Sequence, residues 1–317
     1  MAGGAPVETS GARSPLEAAS QLGVSLDALA AVAAHLRIEA EGIDVDPAIR
    51  DLLAGVAAEV LGTLEPVGHV ERQAVIGMVR AFIYQAEDLI SRPGRTAGWH
   101  DTNEALLQSL GQASAGVVRA FEVAGAKFPA LGETLRRTGA VFVDVGTGTG
   151  WLAIAVARSF PAVRVVGVDI LPEALELARR NVTAAGLADR VELRLLDAAE
   201  LEPESADVVW LAMPFLQKAA VDAVLRGASG ALRPGGWLLP GTFPGPGQSL
   251  AERLMTVRTL RSGGHPWTAD ELCARLRHLG LDGVREVERA WPMPVRLYTA
   301  TKPSRVATSE LPSTPAD

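Results

Sequence analysis

The stretch Val143-Asp144-Val145-Gly146-Thr147-Gly148-Thr149-Gly150 alternates glycine with threonine directly after an apolar, β-branched run. Glycine is needed where the backbone takes a positive φ, or where a ligand approaches the main chain with no Cβ in the way. Such a loop between a strand and a helix reads as a ligand cradle, with a bare tight turn as the alternative. Taken alone it also admits a dinucleotide, because Gly148-Thr149-Gly150-Trp151-Leu152-Ala153 fits the G-x-G-x-x-A form with Asp169 following. Three carboxylates narrow the chemistry. Asp144 stands two residues before the first loop glycine, where it would repel a pyrophosphate and suit an ammonium group. Asp169 closes the run VVGVD and can accept two hydrogen bonds from a ribose diol. Asp197 closes LRLLD, within reach of an exocyclic adenine amine. Each acid alone could equally be a solvated strand-end residue or a helix N-cap. They recur 25 and 28 residues apart, and together they describe one crevice for an amine, a ribose and an adenine, with no phosphate clamp.

The elements that must hold these residues are legible from residue 139 to 302. Short apolar runs at 140–145, 164–168, 191–196 and 208–211 alternate with helical patterns at 151–160, 172–185 and 216–232. Residues 237–240 supply a fifth strand. Thr268-Ala269-Asp270-Glu271 caps a late helix, and 284–289 with 296–301 can close the sheet as a hairpin. Apolar strands alternating with helices imply a parallel sheet covered on both faces, a doubly wound α/β fold. Residues 14–138 are patterned as helix throughout and form an N-terminal all-helical cap. Ser14-Pro15-Leu16-Glu17 is a capping box. Leu26, Leu29, Val32, Ala33 and Leu36 then follow on one helical face. Asp46-Pro47 opens a second helix with Ile49, Leu52, Leu53, Val56 and Val60, and a third runs over 70–90 before Pro93-Gly94. Asp101 and Glu104 read as the N-cap and third residue of a fourth. The tails at 1–13 and 303–317 read as disordered.

Composition excludes several classes. With 317 residues, 48% hydrophobic, the chain can bury a sizeable core, and a net charge of −7 argues against a broad basic footprint for nucleic acid. The single cysteine, Cys273, excludes an intrachain disulfide and any multi-cysteine metal site. No apolar signal region opens the sequence, and Asp27, His35 and Asp144 interrupt the richest apolar stretches, which argues against a membrane span. The expected location is cytoplasmic.

The ordered motifs over roughly 140–302 resemble the class I S-adenosylmethionine-dependent methyltransferases. The resemblance implies a Rossmann-like seven-stranded sheet with its last strand antiparallel, and S-adenosyl-L-methionine as cofactor. It makes VFVDVGTGTG the first motif, so that Asp144, Gly146, Thr147, Gly148 and Gly150 hold the methionine end. Asp169 would bind the ribose, Ile170 would pack against adenine, and Asp197 with Ala198 would read the adenine edge. The run from Asp207 to Phe215 matches the fourth motif, whose strand end, with Met213, faces the transferred methyl. Ala231-Leu232-Arg233-Pro234-Gly235-Gly236-Trp237 resembles the turn into strand five. Ala212-Met213-Pro214-Phe215 departs from the Asn/Asp-Pro-Pro-Tyr/Phe form of members that methylate amide or base nitrogens, which argues against those acceptors. No metal-ligand pair of the metal-dependent catechol type is found, so no metal is expected. A helical cap resembles the cover that small-molecule members place over an acceptor.

A sulfonium methyl is already activated, so aligning the acceptor and excluding water outweigh acid–base chemistry. If the acceptor is a hydroxyl, a base must take its proton. His100 is the first candidate and His265 the second, each with an exposed loop histidine as the alternative. Trp99, Pro214, Phe215 and Phe243 are the expected acceptor pocket, suited to an apolar or aromatic metabolite. Trp151 and Trp210 read individually as core. Gln112 and Ser114 are candidate ligand contacts from the cap, and Arg136-Arg137 reads as a helix-end charge cluster. The cap either closes over the site, hinged at 92–101, or packs on a distant face and makes a homodimer. The partner expected is a small molecule, its O, C or N acceptor atom open. Two other functions stay open: another use of the same cofactor, by an enzyme or a non-catalytic binding protein, and an NAD(P)-dependent oxidoreductase.

Overall fold

The computed structural model describes residues 14–62, 68–98 and 103–304. The tail read at 1–13, nearly all of that at 303–317, and Asp101 lie outside them. The chain opens with α1 (Pro15–Glu41), α2 (Pro47–Leu61) and α3 (His69–Ser91). Ser14 and Glu17 cap α1 reciprocally, and Asp46 accepts the Ala48 N–H at the start of α2. Val32 and Leu36 of α1, Ala57 of α2 and Ile76 of α3 form a small core of their own. The apolar face of α1 is only half used: Val32, Ala33 and Leu36 are buried, whereas Leu22, Leu26 and Leu29 are exposed. By length and composition α1 is also apolar enough to cross a membrane, although its C-terminal half is packed on α2 and α3.

Next come α4 (Glu104–Ser114), α5 (Val118–Lys127) and α6 (Pro129–Arg136). The N-cap of α4 is Asn103, whose side chain accepts the Leu106 N–H, so Glu104 is the first helical residue rather than the third. Helices α5 and α6 belong to the core of the sheet. Phe121, Leu131 and Leu135 are fully buried in one cluster with Phe142 and Trp210, and the Phe121 and Trp210 rings meet at 5.1 Å.

The α/β part runs β1 (Val141–Val145), α7 (Trp151–Ser159), β2 (Arg164–Asp169), α8 (Pro172–Ala184), β3 (Val191–Leu195), β4 (Ala206–Ala212), α9 (Val221–Ala231), β5 (Leu232–Thr242), α10 (Leu250–Arg261), α11 (Ala269–His278), β6 (Asp282–Glu286) and β7 (Arg296–Thr301). These strands form one seven-stranded sheet in the order β3-β2-β1-β4-β5-β7-β6. Strands β1 to β5 pair in parallel and β7 runs antiparallel to both β5 and β6, which is the doubly wound sheet the sequence implies. Register follows the two-residue side-chain period. Phe142, Val165 and Val208 face α5 and α7, while the adjacent Val143, Val166 and Val209 face α9 and α11. Helix α9 starts at Val221, later than its apolar pattern, because Met213–Phe215 first makes a 3-10 turn. Helix α10 was not anticipated, although Ser249 and Glu252 make a full capping box. Arg137 also differs from expectation. It joins Arg233 and the Val141 N–H on the buried Asp207 carboxylate, at 2.5, 2.6 and 2.8 Å, pinning the start of β4 beside β1.

Candidate active site

The strand order reverses between β1 and β4, and in open α/β sheets ligands bind at such a point, beyond the carboxyl ends of the strands. A cavity of about 470 Å³ lies there, within the range of small-molecule sites. Its floor is the glycine loop between β1 and α7. Gly146 and Gly148 take φ of 70° and 54°, and a Cβ added to either would meet no atom closer than 4.0 Å, so both present bare backbone to the cavity they line. Gly150 has a different reason. Its φ is 78° and a Cβ there would lie 3.2 Å from Ala178, so it lets α7 and α8 approach and does not line the cavity.

Asp144 is 1% exposed and accepts the Thr147 hydroxyl at 2.8 Å. Burial pushes its carboxyl up to about 7, against the Thr147 hydrogen bond and with the negative charge of Asp169 adding to the rise. Asp169 accepts the Gly148 N–H on Oδ2 at 2.8 Å and the Leu171 N–H on Oδ1 at 2.9 Å. Burial still holds it above the usual carboxylate range. Each of its oxygens keeps a lone pair for a ligand hydroxyl. Asp197 is exposed and caps the short turn at Ala198–Glu200 through the Ala199 N–H. It lines the cavity together with Ala198 and Ile170, whose 61% exposure leaves an apolar face free.

The roof comes from α3, α4 and α10. Helix α4 docks on the glycine loop through Gly111, where any Cβ would collide with the Thr149 side chain and crowd the Trp151 ring. Gln108 locks this contact: it accepts Trp151 Nε1–H at 2.8 Å and Asn181 Nδ2–H at 2.9 Å, and Asn181 also donates to the Thr149 carbonyl at 2.8 Å. Met78 and Phe82 of α3 and Met255 and Arg258 of α10 extend the roof. Arg258 is half-buried with its guanidinium carbon 4.0 Å from the Phe82 ring centroid. Burial lowers its pKa, but an arginine stays charged.

Thus Asp144, Gly146, Thr147, Gly148, Asp169, Ile170, Asp197, Ala198, Pro214, Phe215 and Phe243 line one cavity, the last two rings meeting edge to face at 5.6 Å. Ser114 lines it; Gln112 does not. Met213 is also outside it: the side chain is fully buried in the core beneath β4, because the 3-10 turn directs it inward. His265 lies behind the wall, with Nε2 2.8 Å from Glu271 and its ring edge-on to Trp267. The Thr268 cap fixes the start of α11 and brings Glu271 to that histidine. Trp99 and His100 lie outside the described residues. Sequence patterning missed Gly111, Gln108, Asn181 and Arg258. A helical glycine or glutamine carries no local signal, since its meaning depends on which distant helix it meets.

Residues 142–236 match the family description of a methyltransferase domain. The chain is 33% identical over 126 residues to the release factor glutamine methyltransferase of Cereibacter sphaeroides, a match covering 32% of this chain and 45% of that protein. It is 34% identical over 148 residues to methyltransferase GfsG of Streptomyces halstedii, covering 44% of this chain and 52% of that protein. The chain thus spans about half the length of these curated relatives. Its fold is similar to human N-acetylserotonin methyltransferase in complex with SAM, with a TM-score of 0.60 at 14% identity, covering 93% of this chain and 99% of that one.

Proposed function

From the premise that this chain has the class I S-adenosylmethionine-dependent methyltransferase fold with a helical region ahead of the sheet, we propose that it methylates a small apolar or aromatic metabolite. The observation that carries this reading is the bare Gly146–Gly148 cradle facing the cavity between the Asp144 and Asp169 carboxylates. That donor set fits S-adenosylmethionine: a buried anion for the ammonium group, carboxylate lone pairs for the ribose diol, and an apolar slot at Ile170 and Ala198 for adenine. A pyrophosphate would meet Asp144 instead, which disfavours a dinucleotide. When bound, S-adenosylmethionine supplies a methyl group activated on a sulfonium.

The chain's own residues bind, orient and dry the site. Gly148 N–H fixes the Asp169 carboxylate toward the loop, so its position is set before a ligand arrives. Helix α4, held by Gln108 and the Gly111 contact, closes the roof over that loop and excludes water from the transfer path. Phe215, Phe243 and Met255 offer a planar, apolar seat for the acceptor. What the described lining residues supply is alignment and desolvation; none of them is a histidine, lysine or tyrosine. The Ala212-Met213-Pro214-Phe215 strand end argues against the amide acceptor named for the release factor relative.

The test has two parts. S-adenosylhomocysteine should raise the melting temperature as ligand linkage requires, and NADH should not. A metabolite screen with isotopically labelled methyl donor should then yield labelled product and S-adenosylhomocysteine. Stabilisation by NADH alone, or methylthioadenosine as the spent cofactor, would overturn the reading.

A further inference from the structure

Four charged residues line the described part of the cavity: Asp144, Asp169 and Asp197 at the strand ends, and Arg258 in the roof. The three acids are accounted for by the cofactor. The arginine is not.

Helix α10 places Met255, Arg258 and Arg261 one turn apart on its inner face. Arg261 is saturated. Its guanidinium donates to Asp88 Oδ2 at 2.5 Å and to the carbonyls of Asp88, Arg92 and Pro93 at 3.2 to 3.3 Å, fastening α10 to the end of α3. Arg258 sits one turn away in less polar surroundings. It rests on the Phe82 ring, and no carboxylate among the described residues pairs with it. A cation drawn partly out of water without an anion is costly, and one ring face compensates only in part. Were α10 simply being anchored, Arg261 already does so. Gln85, one turn from Phe82 on α3, lines the same wall and adds a neutral hydrogen-bonding group.

We propose that the acceptor site is built for a planar aromatic metabolite bearing a carboxylate, which Arg258 receives while Phe82 holds the guanidinium plane in place. The guanidinium fork matches a carboxylate with two parallel hydrogen bonds. The Phe82 ring face offers the guanidinium no hydrogen-bond acceptor lone pair, so its N–H donors stay available to a carboxylate. The apolar remainder of the cavity takes the ring. This identification of the acceptor rests on the methyltransferase reading above and specifies its substrate class.

The test uses the full chain and aromatic acids of one to three rings (4-hydroxybenzoate, 6-hydroxy-2-naphthoate and anthracene-9-carboxylate), each beside its neutral primary amide. Binding is measured by calorimetry with and without saturating S-adenosylhomocysteine. At least one acid should bind wild type about tenfold or more tighter than its amide, the size expected for hydrogen bonds to a charged group. Arg258→Met should erase that preference and Arg258→Lys should keep part of it, with S-adenosylhomocysteine affinity unchanged in both. No acid outbinding its amide, or a preference that survives Arg258→Met, overturns the proposal. So does a parallel loss of S-adenosylhomocysteine affinity in Arg258→Met, which would assign the arginine to the cofactor's own carboxylate. Failure of the methyltransferase reading is separate: S-adenosylhomocysteine would not bind wild type, while the acid-to-amide comparison without it would still report on Arg258.

Discussion

The floor and the roof of the cavity are built on opposite terms. In the floor each carboxylate is positioned by a hydrogen bond from a loop at the strand ends: the Thr147 hydroxyl on Asp144, Gly148 N–H on Asp169, and Ala199 N–H on Asp197. The roof is made of methionine, phenylalanine and leucine from helices far apart in sequence, with an arginine, Arg258, that no carboxylate among the described residues pairs. The floor is therefore rigid and specific in its chemistry, while the roof is adaptable in shape. This division suits an enzyme whose cofactor is fixed and whose acceptor gives it its individual role.

Four experiments bear on that contrast. The largest effect is expected at the floor. Gly148→Val should abolish S-adenosylhomocysteine binding with the fold retained, since its side chain would enter the cavity from a backbone at φ 54°. Wild-type affinity in a folded variant would show that no ligand passes close to this backbone.

Asp144 gives the next effect. Its folded carboxyl titrates near 7 and an unfolded aspartate near 3.9, so between those values the folded chain binds more protons. The ligand-free protein should hold this contribution fully below about pH 4, lose it as the pH climbs through about 7, and stay level above. The loss is on the order of a few kcal/mol. Asp144→Asn should flatten the wild-type slope across that window in chemical denaturation. Identical pH profiles for the two proteins would mean that Asp144 is ionised throughout.

Asp169→Ala should weaken S-adenosylhomocysteine by about ten- to a hundredfold, from lost hydrogen bonds worth roughly 1.5–3 kcal/mol. The smallest effect belongs to the seam between floor and roof. Gly111→Ala forces α4 off Thr149 and Trp151, and overpacking of this kind costs roughly 1–3 kcal/mol. Turnover should fall further than cofactor affinity, because the roof lifts while the floor remains. Equal losses in both would show that roof and floor act as one unit.

The same contrast explains what could be read from the chain. Asp144, Asp169 and Asp197 were legible because each ends an apolar strand, and parallel strands joined by right-handed crossovers bring their carboxyl ends together. Gly146 and Gly148 were legible for a backbone reason that holds locally. Gly150 looks the same in sequence, yet it serves the approach of α8. Met213 and His265 were misplaced because a 3-10 turn and a helix cap, each only a few residues long, decide which way a side chain points.

The sequence by itself determined the strand and helix alternation, the doubly wound parallel sheet and the row of acids at its strand ends, since side-chain period and chain connectivity are local properties, and the family resemblance added the count of seven strands. Tertiary structure alone decided that α5 and α6 join the sheet's core while α1 to α3 enclose a smaller one. It alone set Gly111 against Thr149 and left Arg258 facing an apolar chamber on the Phe82 ring. Those contacts join residues that are distant in sequence, and the packing of whole helices, which no local spacing encodes, chooses them.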